Sequence, residues 1–177
     1  DPAAILKYAR SLQERSRPED VKRALEVLKR GFEVTKQFQF REMRGNLILR
    51  EANKKLQKYK DAAVAAPEDA KAQQQAKMAQ AEFLRMEIEE YKLRMEHYPT
   101  DLGLKFELGK RLFETGDTDG AIALFQEAQQ DAKRRVDSLN YLGLAFMKIA
   151  WTDEAVHTFR QALDAYKVTT DDMGMSL

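Results

Sequence analysis

The sequence predicts an all-α protein: an α-α superhelix of stacked helix pairs, with one long antiparallel helical hairpin ahead of the regular pairs. Three observations carry this. The stretch LGKRLFETGDTDGAIALFQEA at 108–128 is echoed 34 residues later by LGLAFMKIAWTDEAVHTFRQA at 142–162. Two long segments, 36–65 and 68–97, place apolar residues at alternating steps of three and four, the period of a helical seam. Eight Gly and four Pro in 177 residues leave few interruptions, and 33% charged residues suit a helix-rich chain with solvated faces.

The elements follow in order. A first helix spans about 2–13, and ERSRPED breaks it. Ser16 and Glu19 fit a capping box, with Pro18 in the first turn where a missing N–H is harmless. The second helix, about 17–35, sets Val21, Ala24, Leu25, Leu28 and Phe32 on one stripe. The segment 36–65 has no Pro, and Gly45 is its weak point; its seam reads Leu49, Ala52, Leu56, Tyr59 and Ala63. AAPED ends it at Pro67, and Glu68 and Asp69 suit the positive end of the next helix. That helix, about 68–97, continues the seam with Ala72, Ala76, Ala79, Phe83, Met86 and Leu93, Glu90 and His97 being off-pattern members. A helix of about 30 residues is on the order of 45 Å long, and so short a connection makes the two antiparallel neighbours. The small Ala positions near the tip permit close approach. YPTD closes the hairpin, and Thr100 or Asp101 caps the helix that follows.

Within the echo, six pairs keep one spacing: Leu108 and Leu142, Gly109 and Gly143, Leu112 and Phe146, Ala121 and Ala155, Phe125 and Phe159, Ala128 and Ala162. The glycines belong where the two helices of a unit cross, Ala121 and Ala155 answer them from the second helix, and the phenylalanines fill the wedge between units. ETGDTDGA is the turn within a unit, with Gly116 free to take positive φ. In KIAWTDEA, Ala150 replaces that glycine, so a strained turn is expected there.

This spacing resembles the tetratricopeptide repeat, or TPR. The frequent Trp of the pattern is replaced by Lys105 and Leu139, and its closing Pro by Lys133 and Lys167. The resemblance implies two regular units at 99–167 (about 102–135 and 136–169), a degenerate helix pair at 1–35 marked by Ala9, Ala24, Leu28 and Gly31, a stretched hairpin at 36–98, and the start of a further helix at 168–177. The whole is similar to bacterial TPR proteins in which an elongated helix pair ending in YPTD precedes regular repeats.

Composition bounds the function. A formal net charge of +1 provides no bulk field for nucleic acid or an anionic membrane. No apolar run reaches the roughly 18 residues needed to span a bilayer, and no signal peptide is visible. No Cys is present, so disulfides and thiolate metal sites are absent. The chain begins at Asp1 and reads as a piece of a longer protein, which leaves the compartment open, the cytoplasm being favoured.

Candidate chemistry is sparse. His97 and His157 are not at ligand spacing. The acids of RMEIEEYKLRMEHY, Glu87, Glu89, Glu90 and Glu96, alternate with Arg and Lys as on a solvated helix. DTDG at 117–120 lacks the rest of a calcium loop, and no phosphate-binding or nucleophile motif occurs. Met43, Met78, Met86 and Met95 read as core filler, and Lys133, Arg134 and Arg135 as the basic end of a helix. The expectation is no catalytic residue, no cofactor and no metal.

Surface shape remains. In the family the first helix of each unit lines a concave groove. That assignment implies Gly103, Phe106, Lys110 and Phe113 in one unit, and Asp137, Asn140, Tyr141, Leu144 and Met147 in the next, edged by Lys110 and Lys148. An apolar stripe of this kind suits a peptide or an amphipathic helix. Phe106 stands where the carboxylate clamp of some family members needs Lys, so a simple clamp is not expected. The expected role is a non-enzymatic scaffold for a protein or peptide partner. The alternative is a structural spacer that self-associates through the long hairpin, a possible homo-oligomer.

Overall fold

The computed structural model describes residues 1–15 and 17–174, with side-chain surroundings as far as Val168. Eight helices are seen among them: α1 (Pro2–Arg15), α2 (Pro18–Thr35), α3 (Phe38–Ala65), α4 (Ala70–His97), α5 (Leu102–Thr115), α6 (Thr118–Ala128), α7 (Arg135–Lys148) and α8 (Thr152–Gly174). No strand occurs among the described residues. The chain forms two compact units, 1–86 and 87–177, with the boundary inside α4.

In the first unit, α1 and α2 close over Leu6, Ala9, Leu12, Val21, Ala24 and Leu28, and α3 adds Phe40 and Leu47. Gly31 makes room for α3: a Cβ built there would lie 2.5 Å from the Phe40 ring. Pro18 occupies the first turn of α2. Arg17 holds the N-cap position without a side-chain cap. Ser16, on which the expected capping box depends, lies outside the described residues.

The two long helices run antiparallel. Gln73 donates from its side-chain amide to the Ala63 carbonyl at 2.7 Å, and Lys55 acts electrostatically on Glu82. Both pairings fit one antiparallel register. Leu56 and Ala63 are buried, Ala72, Ala76 and Ala79 half-buried. Asp69 caps α4 by accepting from the Lys71 and Ala72 N–H groups. Met78, expected in the core, is 65% exposed, and Val64 is 81% exposed near the same tip.

The second unit stacks α5 to α8 with the end of α4 around Phe106, Leu108, Leu112, Ala121, Leu124, Phe125, Ala128, Leu142, Phe146 and Ala155. Asp101 accepts from the Leu104 N–H at 3.0 Å and so caps α5. Asp117 caps α6 through the Gly120 N–H at 3.0 Å. Gly116 ends α5 at φ +91°, and Ala150 takes the same left-handed role after α7 at φ +62°. The glycines of the echo face rings rather than backbone. A Cβ on Gly109 would lie 2.8 Å from Phe125, and one on Gly143 would lie 2.6 Å from Phe159.

Three further expectations are corrected. Arg134 and Arg135 begin α7 instead of ending a helix: α6 stops at Ala128, and Asp131 holds the intervening turn by accepting from Arg134 and from the Lys133 N–H. The acidic stretch of α4 is not wholly solvated. Glu90 lies seven residues after Phe83, so the seam carries it inward to 7% exposure; Arg94 follows one turn later at 8% and bonds to it at 2.8 Å. Residues from 168 continue α8 to Gly174 instead of starting another helix, because VTTDDM contains no Gly or Pro to stop it; 175–177 lie outside the described residues.

Candidate interaction groove

α5 and α7 are both first helices of their units, and the groove lies along their shared face. Phe106, expected as an exposed anchor, is 6% exposed. Its ring meets Phe125 at 6.0 Å and Tyr141 edge-on at 5.8 Å, and Lys110 Nζ sits 4.9 Å above it. The cause is local. Lys110 is one turn after Phe106 and folds its stem over the ring, while α7 brings Tyr141 across the other side. Phe106 is therefore the floor of the groove, and the accessible surface lies above it.

Tyr141 joins the two helix pairs α5–α6 and α7–α8 within the second unit. It stacks on Phe125 at 5.3 Å and 23°, and meets Phe113 edge-on at 6.2 Å. Such ring pairs add about 0.5–1.5 kcal/mol beyond area burial. Lys148 crosses back from α7 to α5. Its Nζ lies 4.8 Å over the Phe113 ring and donates to the Phe113 carbonyl at 3.1 Å, where the end of α5 carries partial negative charge. Lys110, Phe113, Tyr141 and Lys148 thus come together as one wall. Asn140, Leu144 and Met147 form a second, exposed stripe along α7, with Leu144 at 47% and Met147 at 55%. Of the remaining expected positions, Asp137 is exposed, and Gly103 lies beneath the Arg134 guanidinium, 3.2 Å from a Cβ built there.

Sequence reasoning missed the polar side of the groove. Arg111 donates to Glu87 at 2.8 Å and to Glu107, and its guanidinium lies 4.9 Å over Tyr91. Glu107 also takes Lys110 at 2.9 Å. Burial opposes the Arg111 charge, and Glu87, Tyr91 and Glu107 together more than offset it, so the guanidinium is held above its ordinary range. Burial likewise opposes the Glu107 carboxylate, but Lys110 and Arg111 together hold its pKa below the usual value. Burial pushes the Tyr91 hydroxyl up, which keeps it protonated. Glu107 and Arg111 were readable as an i,i+4 pair; the link to Glu87, 24 residues away, was not. Trp151 was also missed. It is 54% exposed and stacks on Phe146 at 5.9 Å in the turn between α7 and α8.

A cavity of about 460 Å³ opens between these elements, lined by Glu87, Lys110, Arg111, Phe113, Glu114 and Tyr141. Its cations are already seated on rings or carboxylates. Four of its six lining residues are charged, and Phe113 and Tyr141 supply its aromatic surface. The histidines take no part: His97 is exposed against the Tyr98 ring, and His157 is exposed on α8.

Eight helices, glycine-to-ring packing repeated at 34-residue spacing and a face built from alternate helices define a TPR-like helical solenoid. No protein-family model matches the chain, and no curated protein sequence is similar to it. Solved structures are. A crystal structure of MamA superposes with a TM-score of 0.55 at 15% identity, over 96% of this chain and 94% of that one. MamA residues 41–end from Desulfovibrio magneticus RS-1 give 0.50 at 12% identity, over 94% and 96%. YrrB, described as a TPR protein with an unusual peptide-binding site, gives 0.52 at 16% identity, over 93% and 86%. The chain has the TPR fold. Among the described residues, no helix is long and apolar enough to cross a membrane.

Proposed function

We propose that the protein is a non-enzymatic interaction scaffold whose groove along α5 and α7 binds a protein segment, an amphipathic helix or a short peptide. The observation that carries this reading is the pairing of Leu144 and Met147, exposed one turn apart on α7, with the aromatic wall of Phe113 and Tyr141 beside them. Exposed apolar anchors beside a preformed aromatic wall are what hot spots require, and they give affinity without any rearrangement of the scaffold. The likeness to YrrB, a TPR protein with a peptide-binding site, supports the same use of the fold.

The experiment is a selection of random displayed peptides on the 177-residue chain, followed by binding measurements on a Leu144→Asp, Met147→Asp double variant. Both side chains are exposed, so helicity should be unchanged. Loss of about 2 kcal/mol or more of peptide affinity is expected, the scale of a hot-spot pair. Selected peptides that bind the double variant as well as the parent would remove the groove from the account.

A further inference from the structure

A formal charge of +1 conceals a division between the two compact units. Residues 1–86 carry nineteen Lys+Arg and twelve Asp+Glu, a net of +7. Residues 87–177 carry eleven and seventeen, a net of −6, and the groove lies wholly among them. A field of this kind does not set a fold, but it steers and selects what approaches.

Within the acidic unit the excess gathers at one end of the groove. α5 and α7 end side by side, since Lys148 reaches from the second to the Phe113 carbonyl of the first. The turns that follow them bring Glu114, Asp117 and Asp119 in one pair, and Asp153 and Glu154 in the next. Asp119, Asp153 and Glu154 are exposed, and their carboxylates have no hydrogen bond or ion pair among the described residues. The cations beside them are engaged. Lys148 lies over the Phe113 ring, Lys110 is held by Glu107, and Arg111 is held by Glu87 and Glu107. At the far end, where α7 begins, Arg134 is paired with Asp131 and Arg135 is exposed. A cationic visitor at the turn end therefore meets unengaged carboxylates, whereas an anionic one meets only engaged cations. Trp151 stands two residues before Asp153, more than half exposed. Its indole is the aromatic ring best suited to an ammonium or a guanidinium.

We propose that the groove's occupant is a basic amphipathic segment of another protein. Its apolar side chains lie against Tyr141, Leu144 and Met147, and its Lys or Arg residues lie over Trp151 and beside Asp153 and Glu154. This rests on the groove reading above and adds the sign of the partner's charge, which that reading leaves open.

The test selects a displayed peptide library on the 177-residue chain. Its members share apolar residues at helical spacing and carry Lys, Gln or Glu elsewhere. Lys-rich sequences should be enriched. A selected peptide should bind the parent about tenfold more tightly than its Lys→Gln version, and the advantage should fade between about 0.05 M and 0.5 M salt. On an Asp153→Asn, Glu154→Gln variant the same advantage should shrink to about threefold or less. Circular dichroism checks that α8 keeps its helicity in that variant. A Leu144→Gln, Met147→Gln variant, which adds no charge, should weaken both peptide versions. Gln or Glu sequences enriched as strongly as Lys sequences, with binding lost in the Leu144→Gln, Met147→Gln variant, would overturn the charge assignment and leave the groove reading standing. No enrichment, or binding that survives that variant, would overturn both. A Lys advantage unchanged by the carboxylate variant would overturn this placement of the cation. Self-association of the parent that Leu144→Gln, Met147→Gln abolishes would give the groove to the basic unit of a second copy, and would also overturn the proposal.

Discussion

At Gly143 helix propensity and packing pull in opposite directions. Alanine in a helix interior is favoured over glycine by about 1 kcal/mol. A Cβ there would stand 2.6 Å from Phe159 Cε1, with two further ring atoms inside 2.9 Å. Overpacking of this kind costs about 1–3 kcal/mol. The ring can yield only by leaving the crossing of α7 and α8, so the clash should win. Gly143→Ala is expected to lower the unfolding midpoint by a net of about 1 kcal/mol, and adding Phe159→Leu should recover part of it. Denaturant unfolding of the two single variants and the double variant measures that coupling. Additive effects would show that the glycine does not exist for the ring. Phe125 over Gly109 repeats the geometry, and as a fully buried ring it contributes on the order of 2 kcal/mol from burial.

At the scale of elements, what could be read was whatever repeats locally. The 34-residue echo falls on α5 to α8, and the steps of three and four fall on α3 and α4. Ala150 illustrates a local signal read in full. Its place in the turn matches that of Gly116, and it takes φ +62°. A left-handed L-residue costs roughly 1–2 kcal/mol, and glycine gives back about half of that gain through its greater unfolded entropy. Ala150→Gly should therefore raise stability by about 0.5–1 kcal/mol, seen as a higher melting temperature; an unchanged or lower one would place the strain elsewhere. What escaped was set by neighbours. Phe106 has the spacing of an exposed groove residue, and it is buried because Tyr141, 35 residues on, crosses it from another helix. Glu87 joins Arg111 for the same reason. A helical period tells which residues share a face. It does not tell which part of that face the next helix covers, and the floor and wall of the groove differ by that alone.

At the scale of the molecule the apolar interior is divided. One core gathers Leu6 to Leu47 around Phe40, and the other gathers Phe106 to Ala155 around Phe125, with no residue shared. Solenoids behave as chains of units coupled to nearest neighbours, so stability need not be uniform along them. A lesion in one core should then loosen its own helices first. Gly31→Ala provides such a lesion, since its Cβ would lie 2.5 Å from Phe40 where α2 meets α3. In native-state hydrogen exchange, amides of α1, α2 and the first half of α3 should lose protection equivalent to about 1–3 kcal/mol. Amides of α5, α6 and α7 should keep theirs, because every ring that packs their core is untouched. Equal loss in both sets would show a single cooperative unit. The groove would then be only as stable as the weakest helix at the far end of the chain. Retained protection around Phe125 would show a binding surface whose rigidity is set by its own repeats.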